Sequence, residues 1–243
     1  MGSYEKKNAL VLFSGGKDSF YATLLILEKG YNVKLLTYEN GCGVKSENAI
    51  ETAKRIQLKY GIDRVEILGV LRTAAIWREF TYLFYNKTIS EILKKYGNTT
   101  ISQLNCLSCR LAMYVMTIIL CPQIDIQLVV DGARKSQLFA IEQDILLEKF
   151  QIFFNKYNLK IDFPLKDLQD DFELKNQLLI RNFVPKTLEP QCLLGMPLSS
   201  QEMTEEITGA TTNVFEELLL PKAYELIDKY KNINILRENI YNG

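Results

Sequence analysis

Residues 9–19 have the sequence ALVLFSGGKDS, in which an apolar run leads into a loop with adjacent glycines. A short continuous apolar run that ends at glycine is typical of a strand buried on both faces of a parallel sheet. Apolar positions from Phe20 to Ile26, followed by Lys29 and Gly30, predict a helix directly after the loop. This order creates an anion site, because glycines let backbone N–H groups turn inward and the helix N-terminus adds positive potential.

The same alternation of strand and helix continues along the chain. Strands are predicted at residues 32–38, 64–70 and 126–130, helices at residues 46–60, 73–97 and 107–120, and a polar connection at residues 98–105. This rhythm predicts an α/β fold with a doubly wound parallel sheet, and the substrate is expected at the carboxyl ends of its strands. After about residue 145 the pattern changes to helical segments separated by prolines. We therefore expect a nucleotide-binding α/β domain at residues 1–145 and a smaller, mainly helical region at residues 146–243 packed on it.

Composition narrows the class of protein. Lys and Arg number 29, as do Asp and Glu, so the basic excess that is usual for a protein following a long phosphate backbone is missing. The chain has neither a run of about 18 apolar residues nor a signal-peptide pattern, and we expect a cytoplasmic protein without a membrane partner. It has no histidine, which excludes a Ser-His-Asp triad, a Cys-His dyad and any His-ligated metal site.

The side chains of the glycine loop have the chemistry of a phosphate site. Ser14 and Ser19 can donate hydroxyl hydrogen bonds to phosphate oxygens, and Lys17 can supply a positive charge. Asp18 can hold Mg²⁺. Neither the Walker A spacing nor the Gly-x-Gly-x-x-Gly turn is present, and an ordinary serine-capped glycine turn is the alternative. The predicted phosphate-binding residues are Ser14, Gly15, Gly16, Lys17, Asp18 and Ser19.

This loop resembles the PP-loop signature Ser-Gly-Gly-x-Asp-Ser of the ATP pyrophosphatase (adenine nucleotide α-hydrolase) superfamily, and it occupies the same place after the first strand. The resemblance implies a Rossmann-like PP-loop fold of the HUP type, with ATP and Mg²⁺ as cofactors. It also implies cleavage of ATP to AMP and pyrophosphate through an adenylated substrate, with Lys17 and Asp18 as catalytic residues of the loop. Beyond the loop, the nucleotide-binding residues that it implies are Phe13, Thr37, Tyr38, Gly132, Arg134 and Lys135, of which the last two would stabilise the pyrophosphate charge.

The cysteines are the other candidate reactive groups. Cys106 and Cys109 form a Cys-x-x-Cys pair at the start of a predicted helix, where the helix dipole and Arg110 are expected to lower the thiol pKa. Cys192 follows a proline-restricted turn that can return to the carboxyl edge of the sheet. Zinc binding with a further ligand, or simple burial in the core, are alternatives.

The arrangement of these cysteines resembles that of tRNA-thiolating members of the superfamily. In those enzymes a Cys-x-x-Cys pair and a distant third cysteine hold a [4Fe–4S] cluster, or the cysteines carry a persulfide. The resemblance implies that Cys106, Cys109 and Cys192 are cluster ligands, or that Cys109 or Cys106 carries the sulfur.

The leading hypothesis is an ATP-dependent sulfurtransferase that adenylates a nucleobase carbonyl oxygen and replaces it with sulfur. The neutral net charge of the chain favours a free purine nucleotide over a tRNA base as the acceptor. A guanine nucleotide is the example, as in enzymes resembling those of 6-thioguanine biosynthesis. The sulfur donor is left open between a donor protein and a small thiol, and an amphipathic segment at residues 218–230 is a candidate homodimer contact. The alternatives are an amide- or nitrile-forming ligase of the deazaguanine synthase or diphthamide ligase type, and a non-catalytic nucleotide-binding subunit.

Overall fold

The computed structural model describes residues 7–41, 43–44, 48–87, 89–137, 139–185, 191–192, 204–238 and 240–241. The strands in chain order are β1 (Asn8–Leu12), β2 (Asn32–Glu39), β3 (Gly43–Val44), β4 (Val65–Arg72), β5 (Leu128–Val130), β6 (Lys160–Asp162), β7 (Gln191–Cys192) and β8 (Ile240–Tyr241). The helices are α1 (Lys17–Glu28), α2 (Asn48–Tyr60), α3 (Ala74–Tyr85), α4 (Ile89–Tyr96), α5 (Ile101–Leu120), α6 (Asp144–Asn155), α7 (Asp171–Ile180), α8 (Glu205–Val214), α9 (Leu220–Tyr230) and α10 (Ile235–Glu238). Short 3₁₀ turns lie at Cys121–Ile124, Lys135–Gln137 and Ala140–Glu142, and a π-helical turn lies at Phe215–Leu219.

The main sheet has six strands in the order β6-β5-β1-β2-β4-β8. Its strand pairs are parallel except for β4 with β8, while β3 and β7 form a separate antiparallel ribbon. Helices cover both faces of this sheet, and the predicted strands have nearly their predicted bounds. The predicted α/β fold with a doubly wound parallel sheet is therefore confirmed.

The strand order changes direction at β1. The chain adds β2 and β4 on one side of β1 and then crosses over to add β5 and β6 on the other side. The loops that follow β1 and β5 therefore diverge from neighbouring strand ends, and such a topological switch point is where open α/β sheets bind ligands. We use the term switch point for these two loops, residues 13–16 and residues 131–137.

Two apolar clusters pack on opposite faces of the sheet, because successive side chains along β1 alternate in direction. Leu10 and Leu12 join the cluster formed with α5, α6 and α9, whereas Ala9 and Val11 join the cluster formed with α1 and α2. Within the described residues, α5 and the turn after it are long and apolar enough to cross a membrane by length and composition. Most of this segment is buried inside the protein, as expected for a core helix.

Two helical predictions need correction. The segment at residues 73–97 consists of two helices, α3 and α4. The polar connection at residues 98–105 was wrong, because α5 begins at Ile101, where the Thr100 hydroxyl accepts a hydrogen bond from the Gln103 N–H as its N-cap. The early start places the Cys-x-x-Cys pair in the second and third turns of α5. Cys42 and the first predicted residues of α2 lie outside the described residues.

The chain after residue 145 contributes strands to the main sheet as well as helices. β6 lies beside β5 and β8 lies beside β4, and both are too short for a sequence pattern to reveal them. The predicted amphipathic segment is mostly α9, which buries Ala223, Leu226 and Ile227 in the core that α5 shares. The domain division at residue 145 and a homodimer contact through this segment stay predictions.

Candidate active site

The two serines of the glycine loop hold it in a closed conformation. The Ser14 and Ser19 hydroxyl oxygens lie 3.1 Å apart, and the Ser14 backbone N–H donates to the Ser19 hydroxyl at 3.2 Å. The Gly16 N–H donates to the Ser14 hydroxyl at 3.2 Å, and the Ser19 hydroxyl donates back to the Gly16 carbonyl at 3.1 Å. Gly16 is the N-cap of α1 and supplies no side-chain cap. The first turn of α1 therefore presents backbone N–H groups at the carboxyl edge of the sheet, as an anion site requires.

Two glycines let neighbouring segments approach this loop. Gly15 has a φ of +80°, and a Cβ atom there would lie 2.8 Å from the Ala49 Cα at the start of α2. A Cβ atom at Gly132 would lie 2.9 Å from the Asp18 carbonyl carbon and 2.9 Å from the Ser19 nitrogen. Because a side chain would meet backbone at both positions, only glycine lets α2 and the loop after β5 pack against the start of α1.

Replacing Gly132 with Ala should therefore open the switch point. We expect weaker ATP binding and an unfolding free energy lower by about 1–3 kcal/mol, because the added methyl group must displace the backbone of α1. Calorimetry and chemical denaturation measure the two effects. Gly209→Ala is the matched control, since its Cβ meets nothing within 4 Å in the interior of α8, and it should raise stability by up to about 1 kcal/mol. Equal ATP affinity in both variants would contradict the close packing.

The charged residues of the loop form a network with distant parts of the chain. The Lys17 ammonium donates to both oxygens of Asp171, at 2.8 and 2.9 Å, and these hydrogen bonds lower the pKa of Asp171 to about 2. Arg134 Nε lies 2.9 Å from Asp18 Oδ1, and Gln137 donates to the other Asp18 oxygen at 2.8 Å. Burial raises the pKa of Asp18, while Arg134 and Lys17 oppose that rise.

This network is consistent with a nucleotide and its metal ion at the loop. Asp18 Oδ1 and Arg134 Nε are close enough for an ion pair, but both are buried without a hydrogen-bond partner among the described residues. A carboxylate oxygen in this state is a suitable Mg²⁺ ligand, and the guanidinium N–H is a suitable phosphate donor. Asp171 was missed by sequence reasoning, because the acidic start of α7 resembles ordinary helix capping and lies far along the chain from Lys17.

The other predicted nucleotide-binding residues have partners inside the protein. The Thr37 hydroxyl donates to the Phe13 carbonyl at 2.8 Å, and the Tyr38 and Thr117 hydroxyl oxygens lie 2.6 Å apart. Burial raises the pKa of Tyr38. Lys135 forms ion pairs with Asp144 at 2.9 Å and Asp167 at 2.6 Å, rather than with the loop. Adenine recognition by the first two strands and a pyrophosphate contact from Lys135 stay predictions.

A buried polar cluster lies behind the loop after β5. Asp131 is 3% exposed and pairs with Arg110, while the Tyr114 hydroxyl donates to it at 2.8 Å and the Ala133 N–H at 3.0 Å. Arg110 Nη2 also reaches Glu142 at 3.5 Å, and burial raises the pKa of Glu142 to about 8. Sequence reasoning missed this cluster, although an arginine in an apolar helix and an aspartate after a buried strand were available signals.

The cysteines differ sharply in environment. The Asn40 side-chain amide donates to the Cys109 sulfur at 2.7 Å, at the carboxyl end of β2. Burial raises the pKa of Cys106 to about 12, and the charges of Cys109 and Cys192 add to the rise. The predicted lowering of the thiol pKa by the helix dipole is thus wrong for Cys106. The effect of the dipole is confined to the first turn of a helix, and Cys106 lies in the second turn. Cys192 returns to this edge of the sheet because its backbone pairs with Gly43.

These residues do not fit a [4Fe–4S] cluster. Within the described ranges, no group of three or more Cys, Asp or Glu side chains is arranged to hold a metal ion. Persulfide chemistry on a single cysteine does not need such a group of ligands, and no step below passes through a cluster.

The parallel sheet, the glycine loop at the switch point and the sequence of that loop define the class of protein. The chain has the PP-loop, Rossmann-like α/β fold. A crystal structure of a 4-thiouridine synthetase–RNA complex with bound ATP matches it with a TM-score of 0.57 and 12% identity, over 92% of this chain and 53% of that chain. The structure of NMN synthetase from Francisella tularensis matches with a TM-score of 0.47 and 15% identity, over 99% of this chain and 90% of that chain. At 12% identity the likeness to the 4-thiouridine synthetase is one of fold.

Matches in sequence are shorter. A family described as "Family of unknown function (DUF7411)" matches residues 7–103, a range that includes the glycine loop and ends before Cys106. An uncharacterized protein of Methanocaldococcus jannaschii is 34% identical over 88 residues, which are 34% of this chain and 44% of that protein. The match thus spans less than half of that relative, and about half of the 4-thiouridine synthetase chain is matched in structure.

Proposed function

We propose that this chain is an ATP-dependent adenylating enzyme of the ATP pyrophosphatase type that replaces a nucleobase carbonyl oxygen with sulfur. The observation that carries the proposal is the glycine loop at the switch point, closed by its serines and packed against Gly132. There, the N-terminus of α1 lies beside the cationic groups of Lys17 and Arg134, which are paired with Asp171 and Asp18. An acidic phosphate chain is the ligand that suits such a site.

In the proposed first step, a substrate carbonyl oxygen attacks the α-phosphorus of ATP. The bond from that phosphorus to the bridging oxygen breaks, and pyrophosphate leaves with the electron pair. Lys17 and Arg134 then exchange their carboxylate partners for the leaving pyrophosphate and stabilise its charge. Mg²⁺ bound with ATP, for which Asp18 is the candidate ligand, would supply further charge neutralisation.

The proposed second step uses a persulfide on Cys109. Its terminal sulfur attacks the adenylated carbon, and AMP leaves with the former carbonyl oxygen. The Cys192 thiolate then attacks the Cys109 sulfur, which releases the thiolated product and leaves a Cys109–Cys192 disulfide. An external thiol reduces this disulfide, and a sulfur donor protein or a small persulfidated thiol reloads Cys109.

Cys109 is the better carrier of the Cys-x-x-Cys pair. The Cys109 sulfur accepts a hydrogen bond from Asn40, whereas burial keeps Cys106 in the unreactive thiol form. Cys192 is exposed and its charge acts on Cys106, which supports a position from which it can reach the pair. Cys106 is therefore assigned to packing in this proposal.

The proposed acceptor is a free nucleotide, with a guanine nucleotide as first choice and a tRNA base as the second. The chain has equal numbers of acidic and basic residues, which gives a long RNA backbone no overall attraction. The 4-thiouridine synthetase structure contains RNA, but this chain matches only 53% of that protein.

The direct test is anaerobic incubation of the protein with ATP, Mg²⁺, a persulfide donor and one acceptor: GMP, UMP or unmodified tRNA. We expect release of pyrophosphate and AMP together with a thiolated nucleotide that mass spectrometry detects. Asp18→Asn should lower pyrophosphate release by about 100-fold or more, because the metal ligand in the loop is lost. The control Asp63→Asn, at an exposed turn, should keep the wild-type rate.

Other outcomes identify the alternatives. Pyrophosphate release followed by incorporation of ammonia would make the chain an amide- or nitrile-forming ligase. ATP binding without pyrophosphate release in the presence of any acceptor would make it a non-catalytic nucleotide-binding subunit. Equal rates for Asp18→Asn and Asp63→Asn would refute the catalytic role of the loop.

A further inference from the structure

Buried polar atoms that lack a partner among the described residues include one in the switch point, on Arg134, and others on residues linked to it. Across the described part of the chain, four such side-chain atoms lack a hydrogen-bond partner: Asp18 Oδ1, Ser108 Oγ, Arg134 Nε and Glu142 Oε2. A buried polar atom without a partner is costly and is rare in folded proteins. ATP and Mg²⁺, bound as proposed above, would supply partners for Asp18 Oδ1 and Arg134 Nε, but they would supply none for Glu142 Oε2.

Glu142 has no full counter-charge. Its side chain is 5% exposed, and its nearest cation, Arg110, lies 3.5 Å away while Arg110 is already paired with Asp131. The Tyr114 hydroxyl and the Ala133 N–H also donate their hydrogen bonds to Asp131 rather than to Glu142. One carboxyl oxygen of Glu142 is thus held by a shared arginine, and none of the described residues supplies a partner for the other oxygen.

Glu142 is linked to the switch point through Arg110, which pairs with Asp131 directly after β5 and reaches Glu142 at 3.5 Å. The charges that act on it come from the loop after β5, from the first turn of α1 and from α5. Arg110, which contacts Glu142, directly follows Cys109 along α5. The charges that act on Glu142 are those of Arg110, Asp131, Asp18 and Arg134, and the charge of Glu142 acts in turn on Cys106.

We infer that Glu142 is the catalytic base of the adenylation step and that the acceptor is a lactam, a ring in which an N–H adjoins the carbonyl. The free Oε2 accepts a hydrogen bond from the lactam N–H, which places the neighbouring carbonyl oxygen toward the α-phosphate. This inference rests on the proposed function and narrows its substrate class to 6-oxopurines and 4-oxopyrimidines.

Proton balance explains why such a base is needed. When the lactam oxygen bonds to the α-phosphorus, the ring nitrogen must lose its proton for a neutral imidate ester to form. The N–H electron pair becomes part of the new C=N bond, and the proton moves to Oε2 of Glu142. After sulfur has displaced AMP, the same proton returns to the ring nitrogen, so the product leaves as a thiolactam.

The acidity of Glu142 suits this exchange. Burial raises its pKa to about 8, and a general base works best when its pKa lies near the working pH. The carboxylate is the active form, so kcat/KM should rise as the pH increases through about 8 and level off above it. A catalytic acid would give the opposite slope.

The test compares Glu142→Gln with Glu148→Gln, which removes an exposed acid from the neighbouring helix α6. The assay is release of pyrophosphate with GMP, with 1-methyl-GMP and with UMP, at pH 6 to about 9.5. We expect Glu142→Gln to lower kcat by about 100-fold or more and to remove the rise near pH 8, with the Kd for ATP unchanged. Glu148→Gln should behave as wild type, and 1-methyl-GMP, which has no ring N–H to lose, should be inactive with every variant.

A structural role would give a different set of results. The unfolding free energy of Glu142→Gln at pH 7 should lie near that of wild type, because a carboxyl with a pKa of about 8 is already largely uncharged at this pH. A wild-type rate and pH profile in Glu142→Gln, or full activity with 1-methyl-GMP, would overturn the inference while leaving adenylation intact. Absence of pyrophosphate release from wild type with every acceptor would instead overturn the proposed function and this inference with it.

Discussion

Replacing Asp131 with Ala should destabilise the protein by about 3–5 kcal/mol, the usual effect of removing one partner from a buried ion pair. The change leaves the buried guanidinium of Arg110 without its main counter-charge and removes the acceptor of the Tyr114 hydroxyl. It also frees the Ala133 N–H, so the loop after β5 loses the bond that shapes its first residues. In a domain of this size, such a loss corresponds to a fall in Tm of roughly 6–20 °C.

Chemical denaturation at neutral pH measures this effect. Asp131→Asn should cost less, because an amide oxygen still accepts hydrogen bonds from Ala133 and Tyr114 although the charge is lost. Asp63→Asn, at an exposed position, should lie within about 0.5 kcal/mol of wild type. A stability of Asp131→Ala equal to that of Asp63→Asn would show that Arg110 does not depend on Asp131.

Replacing Cys109 with Ser should abolish sulfur insertion and leave adenylation in place. The hydroxyl cannot carry a persulfide, whereas the phosphate loop and Glu142 do not involve the Cys109 sulfur. We expect no thiolated nucleotide above the detection limit, and continued release of pyrophosphate with accumulation of the adenylated nucleotide or its hydrolysis product. Mass spectrometry of the nucleotides and a pyrophosphate assay separate the two steps.

Two further cysteine variants complete this comparison. Cys121→Ala is the matched control, since Cys121 is buried after the end of α5, far along that helix from the Cys-x-x-Cys pair, and sulfur insertion should persist. Cys192→Ser should trap the product as a mixed disulfide on Cys109. Loss of sulfur insertion in Cys106→Ser, with full activity in Cys109→Ser, would reverse the assignment of the carrier.

Much of the fold could be predicted from local sequence patterns. The apolar run of β1, the glycine loop and the helix after it form one continuous segment. The spacing of strands and helices along residues 1–130 indicates a parallel sheet. The start of α5 was missed, because its first turns are polar and the cap is a single threonine. The strands β6 and β8 were missed, because two or three residues carry no periodicity.

The sequence by itself determined the glycine loop and predicted it as a phosphate site, since an anion site made of glycines, serines and a helix N-terminus is local and needs only neighbouring residues. The resemblance to the PP-loop superfamily added Gly132 and Arg134 in the loop after β5 as predicted nucleotide-binding residues. The tertiary structure alone decided which distant groups complete the site. Asp171 reaches Lys17 from the start of α7, and Glu142 shares Arg110 with Asp131, because the crossover at β1 brings the ends of β1 and β5 together.

The reactivity of the cysteines was likewise decided by tertiary structure. Sequence spacing placed Cys106 and Cys109 together, but spacing carries no information about burial, and burial is what sets the pKa of Cys106. Cys106 packs against the core, whereas the Cys109 sulfur, one turn further along the same helix, accepts a hydrogen bond from Asn40 at the end of β2.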